Sequence, residues 1–122
     1  MRVYLAGTMS SRVPDRNVSA FDRWSKRLRE CGHEVIDPRE VGGYGGDWHA
    51  AMRRDVAALS TCDAVAVIPG VADTDRGVWM EVTLAFNLGL PVTGADSPWF
   101  SNAPRVSGSA GGEGSSNNAR EG

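Results

Sequence analysis

Cysteine, net charge and long apolar runs are all scarce in this 122-residue sequence. The two cysteines, Cys31 and Cys62, lie in predicted helical stretches without CxxC or metal-ligand spacing, so we expect reduced packing thiols. A net charge of -2 gives no basic surface for a nucleic acid polymer or an anionic membrane. No apolar run approaches the roughly 20 residues of a membrane span, and no signal-peptide layout opens the chain. These absences predict a cytoplasmic protein whose partners are neither membranes nor nucleic acid polymers.

The length and the change of composition along the chain predict one folded domain followed by a tail. A chain of 122 residues can form one domain with a hydrophobic core but not two. From about residue 101, Ser, Gly and Asn dominate, and no aromatic or β-branched residue follows Val106. Such a segment cannot bury enough apolar surface to offset its ordering entropy. We therefore predict a folded domain over residues 1–100 and a disordered tail over residues 101–122.

Short apolar stretches alternate along the chain with stretches of helical period. The predicted strands are 2–7, 33–37, 63–68 and 91–93, and the predicted helices are 19–31, 48–60 and 77–89. Ser19 and Asp22 are spaced as a capping box for the first helix, Gly32 ends it, and Asp47 is placed to cap the second. The alternation predicts an α/β fold: a small doubly wound, mostly parallel sheet of four to five strands with helices on both faces, of Rossmann-like or flavodoxin-like type.

Two carboxylates occupy helix faces that should be buried. At about 100° per residue, Glu81 points in the same direction as Val78 and Leu84, and Asp55 shares its face with Met52. An ion pair within the helix is the structural alternative, but the Glu81 face contains no base, and the arginines beside Asp55 turn outward. Burial without a partner raises the pKa of a carboxyl group, and such groups are concentrated at functional sites. We expect both acids to take part in chemistry.

The loops after the predicted strands should meet at one edge of the sheet, where doubly wound folds bind their ligands. Glu81 lies one turn into the helix after the third of these loops, and Asp75, Arg76 and Gly77 immediately precede that turn. The loop after the first strand offers backbone N–H groups and hydroxyls to a polar ligand from Gly7, Thr8, Ser10 and Ser11. A carboxylate-rich pocket for a small polar molecule is therefore predicted at this edge. A carboxylate there could attack an anomeric carbon while a second acid protonates the leaving group.

These features coincide with the motifs of a known family, the nucleoside 2-deoxyribosyltransferases and the small phage and bacterial proteins related to them. The sequence resembles that family from Val3 to about Val92. The matching segments are VYLAG-x-MS at 3–10, GHEVIDP at 32–38, RRD at 53–55, CDAVAVIPG at 62–70 and D-x-G-x-x-x-E at 75–81. The resemblance implies transfer of deoxyribose between nucleobases, with a nucleoside or nucleotide as the ligand and with no cofactor or metal.

The resemblance also implies a role for individual residues. Glu81 is similar to the family's nucleophile, and Asp55 falls where the family keeps a second acid near the base. Tyr4 matches a tyrosine that orients the nucleophile, and Asp75 matches an acid that contacts the sugar. From their place at this edge of the sheet, we also expect substrate contacts at Gly7, Thr8, Met9, Ser10, Arg76 and Gly77. Without the resemblance, Tyr4 is more simply a core aromatic residue, and Asp75 serves equally well as a helix cap.

Departures from the family pattern leave the substrate open. Thr8 replaces the usual proline, and Asp75 stands where nucleotide-hydrolysing relatives tend to carry serine. An Asp in the site would repel a phosphate and so favours a free nucleoside, whereas Arg12, Arg16 and Arg76 could each meet a phosphate. We expect a transferase that forms a covalent glycosyl ester on its nucleophile. The alternatives are a (deoxy)nucleoside 5′-monophosphate N-glycosidase and a nucleotide-binding module without catalysis.

The helix that carries Glu81 has a second informative face. Trp79, Thr83 and Phe86 project away from the predicted core stripe. Exposed aromatic residues of this size are uncommon on the free surface of a monomer. We predict a homo-oligomer that assembles through this helix.

Overall fold

The computed structural model describes residues 1–9, 17–41, 47–70 and 75–106. The elements in these ranges are, in chain order, β1 (Arg2–Ala6), α1 (Val18–Glu30), β2 (Glu34–Ile36), α2 (Pro38–Val41), α3 (Trp48–Leu59), β3 (Ala64–Val67), α4 (Arg76–Asn87), β4 (Val92–Gly94) and α5 (Trp99–Asn102). The sequence pattern does not anticipate α2 and α5, because four residues are too few to display a helical period. None of the helices in the described ranges has the length and apolar character needed to cross a membrane.

The four strands form one parallel sheet in the order β2-β1-β3-β4. Val3 of β1 is in register with Val35 on one side and with Ala64 on the other, and Ala66 is in register with Thr93 of β4. The predicted α/β fold with a parallel sheet is confirmed. The chain runs outward from β1 to β2 and then returns to β3, so the order of the strands reverses between β1 and β3. Ligands of open α/β sheets bind at the carboxyl ends of the strands near such a reversal.

Alternation of side chains along β1 divides the core into two clusters. Val3 and Leu5 pack with Phe21 and Leu28 of α1 on one face of the sheet. The opposite face of the sheet carries the cluster that joins β1 and β3 to α3 and α4, and it contains Tyr4, Ala6, Leu59, Val65, Val78 and Ala85. Helices therefore cover both faces, as predicted. The second cluster surrounds Tyr4, which places a phenol beneath the two helices that carry the candidate acids.

The helix ends confirm part of the predicted capping. The Asp47 side chain accepts a hydrogen bond of 2.9 Å from the His49 N–H at the start of α3, as predicted. The predicted capping box of α1 is wrong, because the helix begins at Val18 after Asn17 and has no side-chain cap. Asp22 therefore lies more than one turn inside α1, where its carboxylate accepts a hydrogen bond of 2.9 Å from Arg39. Gly32 follows α1 at a φ of 93°, a left-handed conformation that favours glycine.

The segment after α5 packs against the turn between α1 and β2. Phe100 is buried, and its carbonyl oxygen lies 2.7 Å from Nε2 of the buried His33. The Arg105 guanidinium donates to the Cys31 carbonyl at 2.9 Å, and the Val106 N–H donates to the Gly32 carbonyl at 3.0 Å. These contacts extend the folded body to residue 106, beyond the boundary at residue 100 that composition indicates. The rest of the predicted tail, 107–122, lies outside the described residues.

Candidate functional site

A tyrosine and a glutamate meet in the core beneath α4. Tyr4 lies in the middle of β1 and is completely buried, and Glu81 lies in the second turn of α4 with 4% of its surface exposed. The Tyr4 hydroxyl donates a hydrogen bond of 2.7 Å to Oε2 of Glu81. The residues are 77 positions apart in the chain, so the parallel sheet and the packing of α4 create this contact. Sequence pattern alone places Glu81 on a buried face, and the structure supplies its partner.

The environment of Glu81 favours its neutral form. Burial raises the pKa of Glu81 to about 8, and the Tyr4 hydrogen bond acts in the opposite direction because it stabilises the carboxylate. The negative charges of Asp55 and Asp75 raise the pKa of Glu81 further. Burial also raises the pKa of Tyr4 above its ordinary value, and the charge of Glu81 adds to that effect. Tyr4 is therefore a fixed hydrogen-bond donor at neutral pH, whereas Glu81 can exist in both protonation states.

Asp55 supplies a second buried carboxyl group from α3. Only 3% of its surface is exposed, and its Oδ1 atom has no hydrogen-bond partner among the described residues. Burial raises the pKa of Asp55 to about 6, and the charge of Arg54 acts in the opposite direction. A buried oxygen without a partner is costly, so its persistence calls for an explanation such as a ligand. We refer to Tyr4, Asp55 and Glu81 together as the carboxylate cluster.

The end of β1 contributes a second unpartnered polar atom and two packing residues. Thr8 is 8% exposed, and its hydroxyl has no hydrogen-bond partner among the described residues. A Cβ atom added to Gly7 would lie 2.8 Å from Cδ1 and 3.2 Å from Cβ of Ile68, so a larger residue there would force the Ile68 side chain to shift. Met9 packs against the cluster on the α1 face, and this contact gives its side chain a structural role. Ser10, Ser11, Arg12 and Arg16 lie outside the described residues.

Asp75 caps α4 and also acts electrostatically on the carboxylate cluster. Its Oδ1 atom accepts a hydrogen bond of 2.8 Å from the Val78 N–H. Its charge raises the pKa of Glu81, so the two carboxyl groups lie close enough to interact. A Cβ atom added to Gly77 would meet its neighbours only at 3.6 Å, an ordinary contact distance, so packing does not require glycine there. The structure thus shows the capping role of Asp75, and its predicted contact with a ligand stays a prediction.

Arg76 and Trp48 form a contact that the sequence analysis does not anticipate. The Arg76 guanidinium lies 4.0 Å from the centroid of the Trp48 ring, in cation–π geometry. Both residues are the first of their helices, and each follows a capping aspartate, Asp75 in one case and Asp47 in the other. That shared Asp-then-helix pattern is the signal that could have predicted their proximity, because α3 and α4 begin at the same edge of the sheet.

The side chains that could ligate a metal ion are dispersed in the described part of the chain. In the ranges that the structure describes, His, Cys, Asp and Glu nowhere form a group of three or more that could hold a metal ion. Both histidines have other surroundings: His33 is buried against Phe100, and His49 is exposed beside Asp47. Among the described residues at the site, the carboxyl groups are those of Asp55, Asp75 and Glu81, the phenol is that of Tyr4, and the hydroxyl is that of Thr8.

Comparison with known proteins places the chain in a family. The sequence matches the model of DUF4406, a domain of unknown function, over residues 1–94. The chain belongs to the DUF4406 family. Among curated proteins, none matches this DUF4406 protein. The matched range includes every residue of the carboxylate cluster and ends at the last residue of β4.

Solved structures with a similar fold include the 2-deoxyribosyltransferase of the psychrotolerant bacterium Bacillus psychrosaccharolyticus. The TM-score is 0.59 at 22% sequence identity, and the alignment covers 75% of this DUF4406 protein and 69% of that chain. At this level of identity the similarity concerns the fold. The fold of the DUF4406 protein is thus of a kind that a nucleoside-processing enzyme also uses.

Proposed function

We propose that this protein cleaves the N-glycosidic bond of deoxynucleosides and transfers the deoxyribosyl group to a second nucleobase. The observation that carries the proposal is the buried hydrogen bond of 2.7 Å between Tyr4 and Glu81, together with the buried Asp55, whose Oδ1 atom has no hydrogen-bond partner among the described residues. A buried nucleophile with a fixed orienting donor and a neighbouring acid is the arrangement that glycosyl transfer through a covalent ester requires. The similarity of the fold to a 2-deoxyribosyltransferase supports the same class of reaction.

In the first half-reaction, Glu81 attacks the sugar. One carboxylate oxygen forms a bond to C1′ while the bond from C1′ to the base nitrogen breaks, and the electron pair of that bond passes to the base. Asp55 donates a proton to the departing base, which leaves as a neutral molecule. Tyr4 holds Oε2 of Glu81, so Oε1 is the oxygen that attacks. The product is a deoxyribosyl ester on Glu81 and an ionised Asp55.

The second half-reaction reverses these steps with a new base. A nitrogen of the acceptor base attacks C1′, the ester bond breaks, and Glu81 leaves as a carboxylate. Asp55 takes up the proton that the acceptor nitrogen loses, so the cluster returns to its starting state. The same two groups therefore act in both directions, as microscopic reversibility requires. Water in place of the acceptor base would make the protein a hydrolase.

A single proton shared between Asp55 and Glu81 is central to this mechanism. The reactive form has Glu81 ionised and Asp55 protonated, although the pKa of Glu81, about 8, is above that of Asp55, about 6. Between these values the pair holds one proton in total, and transfer of that proton between the two groups gives the reactive form without exchange with solvent. A bound nucleoside that accepts a hydrogen bond from Asp55 favours this transfer.

The surroundings of α4 favour a nucleoside over a nucleotide. The N-terminus of a helix attracts anions, but here the Asp75 carboxylate already occupies that position through its hydrogen bond to Val78. A phosphate placed there would meet a negative charge. Hydroxyl groups of a sugar can instead donate to the remaining oxygen of Asp75. Arg76 favours a nucleotide instead, because its side chain is exposed next to Asp75 and could contact a phosphate.

Incubation of the protein with deoxyinosine and adenine tests the proposal directly. Chromatography should show new deoxyadenosine and hypoxanthine, whereas release of free sugar alone would indicate hydrolysis. A parallel assay with deoxyinosine 5′-monophosphate distinguishes the nucleotide N-glycosidase. Absence of turnover for every nucleoside and nucleotide, combined with measurable binding, would favour the sensing module and contradict the proposal.

Variants of Glu81 identify the nucleophile. Glu81→Gln should bind deoxynucleosides but lose turnover, by at least about 10³-fold, because an amide cannot form the ester. Glu30→Gln on the exposed surface of α1 is the matched control and should retain full activity. Mass spectrometry of the quenched wild-type reaction should locate a deoxyribosyl adduct on the peptide that contains Glu81. An adduct on another residue would reassign the nucleophile.

A further inference from the structure

An apolar groove adjoins the candidate site on the side of α4 that faces β4. It is a cavity of about 720 Å³ between α4 and the carboxyl ends of β3 and β4, within the range of roughly 300–1,000 Å³ that is typical of small-molecule sites. Val78, Trp79 and Val82 form its α4 wall, and Val92 lies on the strand side. Asp75, the residue that caps α4, also lines the groove. Through Asp75 the groove is continuous with the candidate site.

The charges around this groove favour an uncharged occupant. Among the described residues that line it, Asp75 is the only charged one, and the others are apolar residues, glycines and Thr93. Arg76 follows Asp75 in the chain but is directed toward α3, where its guanidinium lies 4.0 Å from the centroid of the Trp48 ring. A phosphate in the groove would meet the Asp75 carboxylate without a cation to offset its charge. An apolar group would meet side chains of its own kind.

Asp55 and the groove lie on opposite sides of Glu81. The helix that carries Asp55, α3, packs against α4 and also against α2, the short helix that follows β2. Strands β2 and β4 are opposite edges of the described sheet, so α3 lies on the β2 side of α4 and the groove lies on the β4 side. The charges of Asp55 and Asp75 both act on Glu81. A sugar at Glu81 would therefore have Asp55 on one side and the entrance of the groove on the other.

We infer that the groove binds an apolar group on the 5′ carbon of the substrate, so that the preferred substrates are 5′-modified deoxynucleosides. The inference rests on the proposed function, in which Glu81 bonds to C1′ and the departing base lies beside Asp55. C4′, which bears the 5′ carbon, is on the other side of the ring oxygen from C1′, so a 5′ substituent extends away from Asp55 and past Asp75. A hydroxymethyl group is too small to fill about 720 Å³. An alkylthio chain can extend along the wall to Trp79, whose surface is 64% exposed.

A series of ligands that differ only at the 5′ carbon tests this inference by isothermal titration calorimetry and by steady-state kinetics. The series consists of deoxyinosine, 2′,5′-dideoxy-5′-(methylthio)inosine, its propylthio homologue and deoxyinosine 5′-monophosphate. From the methylthio to the propylthio ligand, affinity and kcat/KM should rise by about fourfold for each added methylene, because each leaves water for the apolar wall. The monophosphate should bind more weakly than deoxyinosine. Equal affinity along the series, or tightest binding of the monophosphate, would overturn the inference.

Two substitutions on α4 locate the bound 5′ group. Trp79→Ala removes part of the groove wall and should reduce the preference for the propylthio over the methylthio ligand by about fivefold. Phe86→Ala is the matched control, because Phe86 is an exposed aromatic residue of the same helix that does not line the groove. It should leave the preference unchanged. Circular dichroism should show that both variants are folded, since both side chains are exposed. An unchanged preference in Trp79→Ala would overturn the assignment of the groove.

Binding and turnover together separate a failure of this inference from a failure of the proposed function. Tighter binding of the propylthio ligand without turnover of any nucleoside would support the groove assignment and contradict the proposed function. Turnover at the same kcat/KM for every 5′ substituent would overturn the inference and leave the proposed function intact. Absence of binding for the whole series would overturn both.

Discussion

Two sites in this protein bury carboxyl groups to the same degree but surround them differently. Asp37, at the carboxyl end of β2, is 1% exposed, and its Oδ1 atom accepts hydrogen bonds from the backbone N–H and Nε of Arg39 at 2.9 and 3.0 Å. A second Arg39 nitrogen contacts Oδ2. The carboxylate cluster is bound differently: Glu81 accepts a hydrogen bond from the neutral Tyr4 hydroxyl, and Oδ1 of Asp55 accepts none among the described residues.

The difference shows that burial alone does not determine how far the charge of an acid is compensated. A guanidinium that contacts both carboxylate oxygens satisfies the charge and orients the strand end, so Asp37 is part of the scaffold. A carboxyl group with a neutral donor or no donor keeps a raised pKa and an unmet capacity for hydrogen bonds. The following predictions test that contrast, beginning with the largest expected effect.

Asp55→Asn should reduce turnover of ordinary deoxynucleosides by about 10²–10⁴-fold, because the departing base no longer receives a proton. The loss should be small for 7-methyl-2′-deoxyguanosine, whose base already carries a positive charge and leaves without protonation. Steady-state kinetics on both substrates provides the measurement. An equal loss on the two substrates would show that Asp55 acts through structure and not through proton transfer.

Glu81→Gln should stabilise the folded protein, and the gain should increase as the pH rises. The pKa of Glu81 is raised by folding from 4.5 to about 8, so between these values the folded state holds more protons than the unfolded state, and wild-type stability falls with rising pH. The variant lacks that loss, so its free energy of unfolding should rise by on the order of 4 kcal/mol relative to wild type between pH 5 and pH 8. Urea denaturation across this range measures the difference, and a difference that does not change with pH would contradict the prediction.

Asp37→Asn should have the opposite effect on stability and little effect on chemistry. Removal of one partner from a buried ion pair leaves the Arg39 guanidinium without its main counter-charge, which costs about 3 kcal/mol. The loss should be visible as a lower denaturation midpoint. Turnover per folded molecule should remain close to wild type. In the described part of the chain, Asp37 and Arg39 bind each other and make no hydrogen bond to the carboxylate cluster. A large loss of turnover in the folded variant would place Asp37 in the site.

The pH dependence of kcat/KM should be bell-shaped, with limbs near pH 6 and pH 8. Below the lower limb both Asp55 and Glu81 are protonated and no nucleophile is present, and above the upper limb both are ionised and no proton is available for the base. Activity should fall about tenfold per pH unit on each side. In Asp55→Asn the alkaline fall should disappear. A profile that is flat from pH 5 to pH 9 would exclude the shared proton.

Tyr4→Phe is expected to have the smallest effect, a loss of about tenfold in turnover. The variant removes one hydrogen bond to a charged group, worth roughly 1.5–3 kcal/mol, and leaves the aromatic ring in the core. Loss of a donor that stabilises the carboxylate should also raise the pKa of Glu81, so the alkaline limb of the pH profile should shift upward. A profile with an unchanged alkaline limb would mean that Tyr4 does not act on the nucleophile.

Local patterns predicted most of the architecture and part of the candidate site. Alternation of strands and helices indicated the parallel α/β fold, and helical period placed Asp55 and Glu81 on buried faces. These predictions succeed because the period of 3.6 residues and the alternation of strands are properties of neighbouring residues. The capping box at Ser19 failed because motif spacing does not determine where a helix begins. The Met9 side chain packs against the core, which is a structural role. Its proposed contact with a ligand remains a prediction.

What the sequence by itself determined is the identity and direction of the acids, which are two carboxyl groups on core-facing stripes of their helices. Only the tertiary structure decided which groups they meet. Tyr4 contacts Glu81 because the register of β1 and the packing of α4 on the sheet bring together two residues that are 77 positions apart. Asp37 accepts hydrogen bonds from Arg39, whereas Oδ1 of Asp55 has no hydrogen-bond partner among the described residues. The partners of a buried charge depend on packing between distant elements, and local period carries no information about that packing.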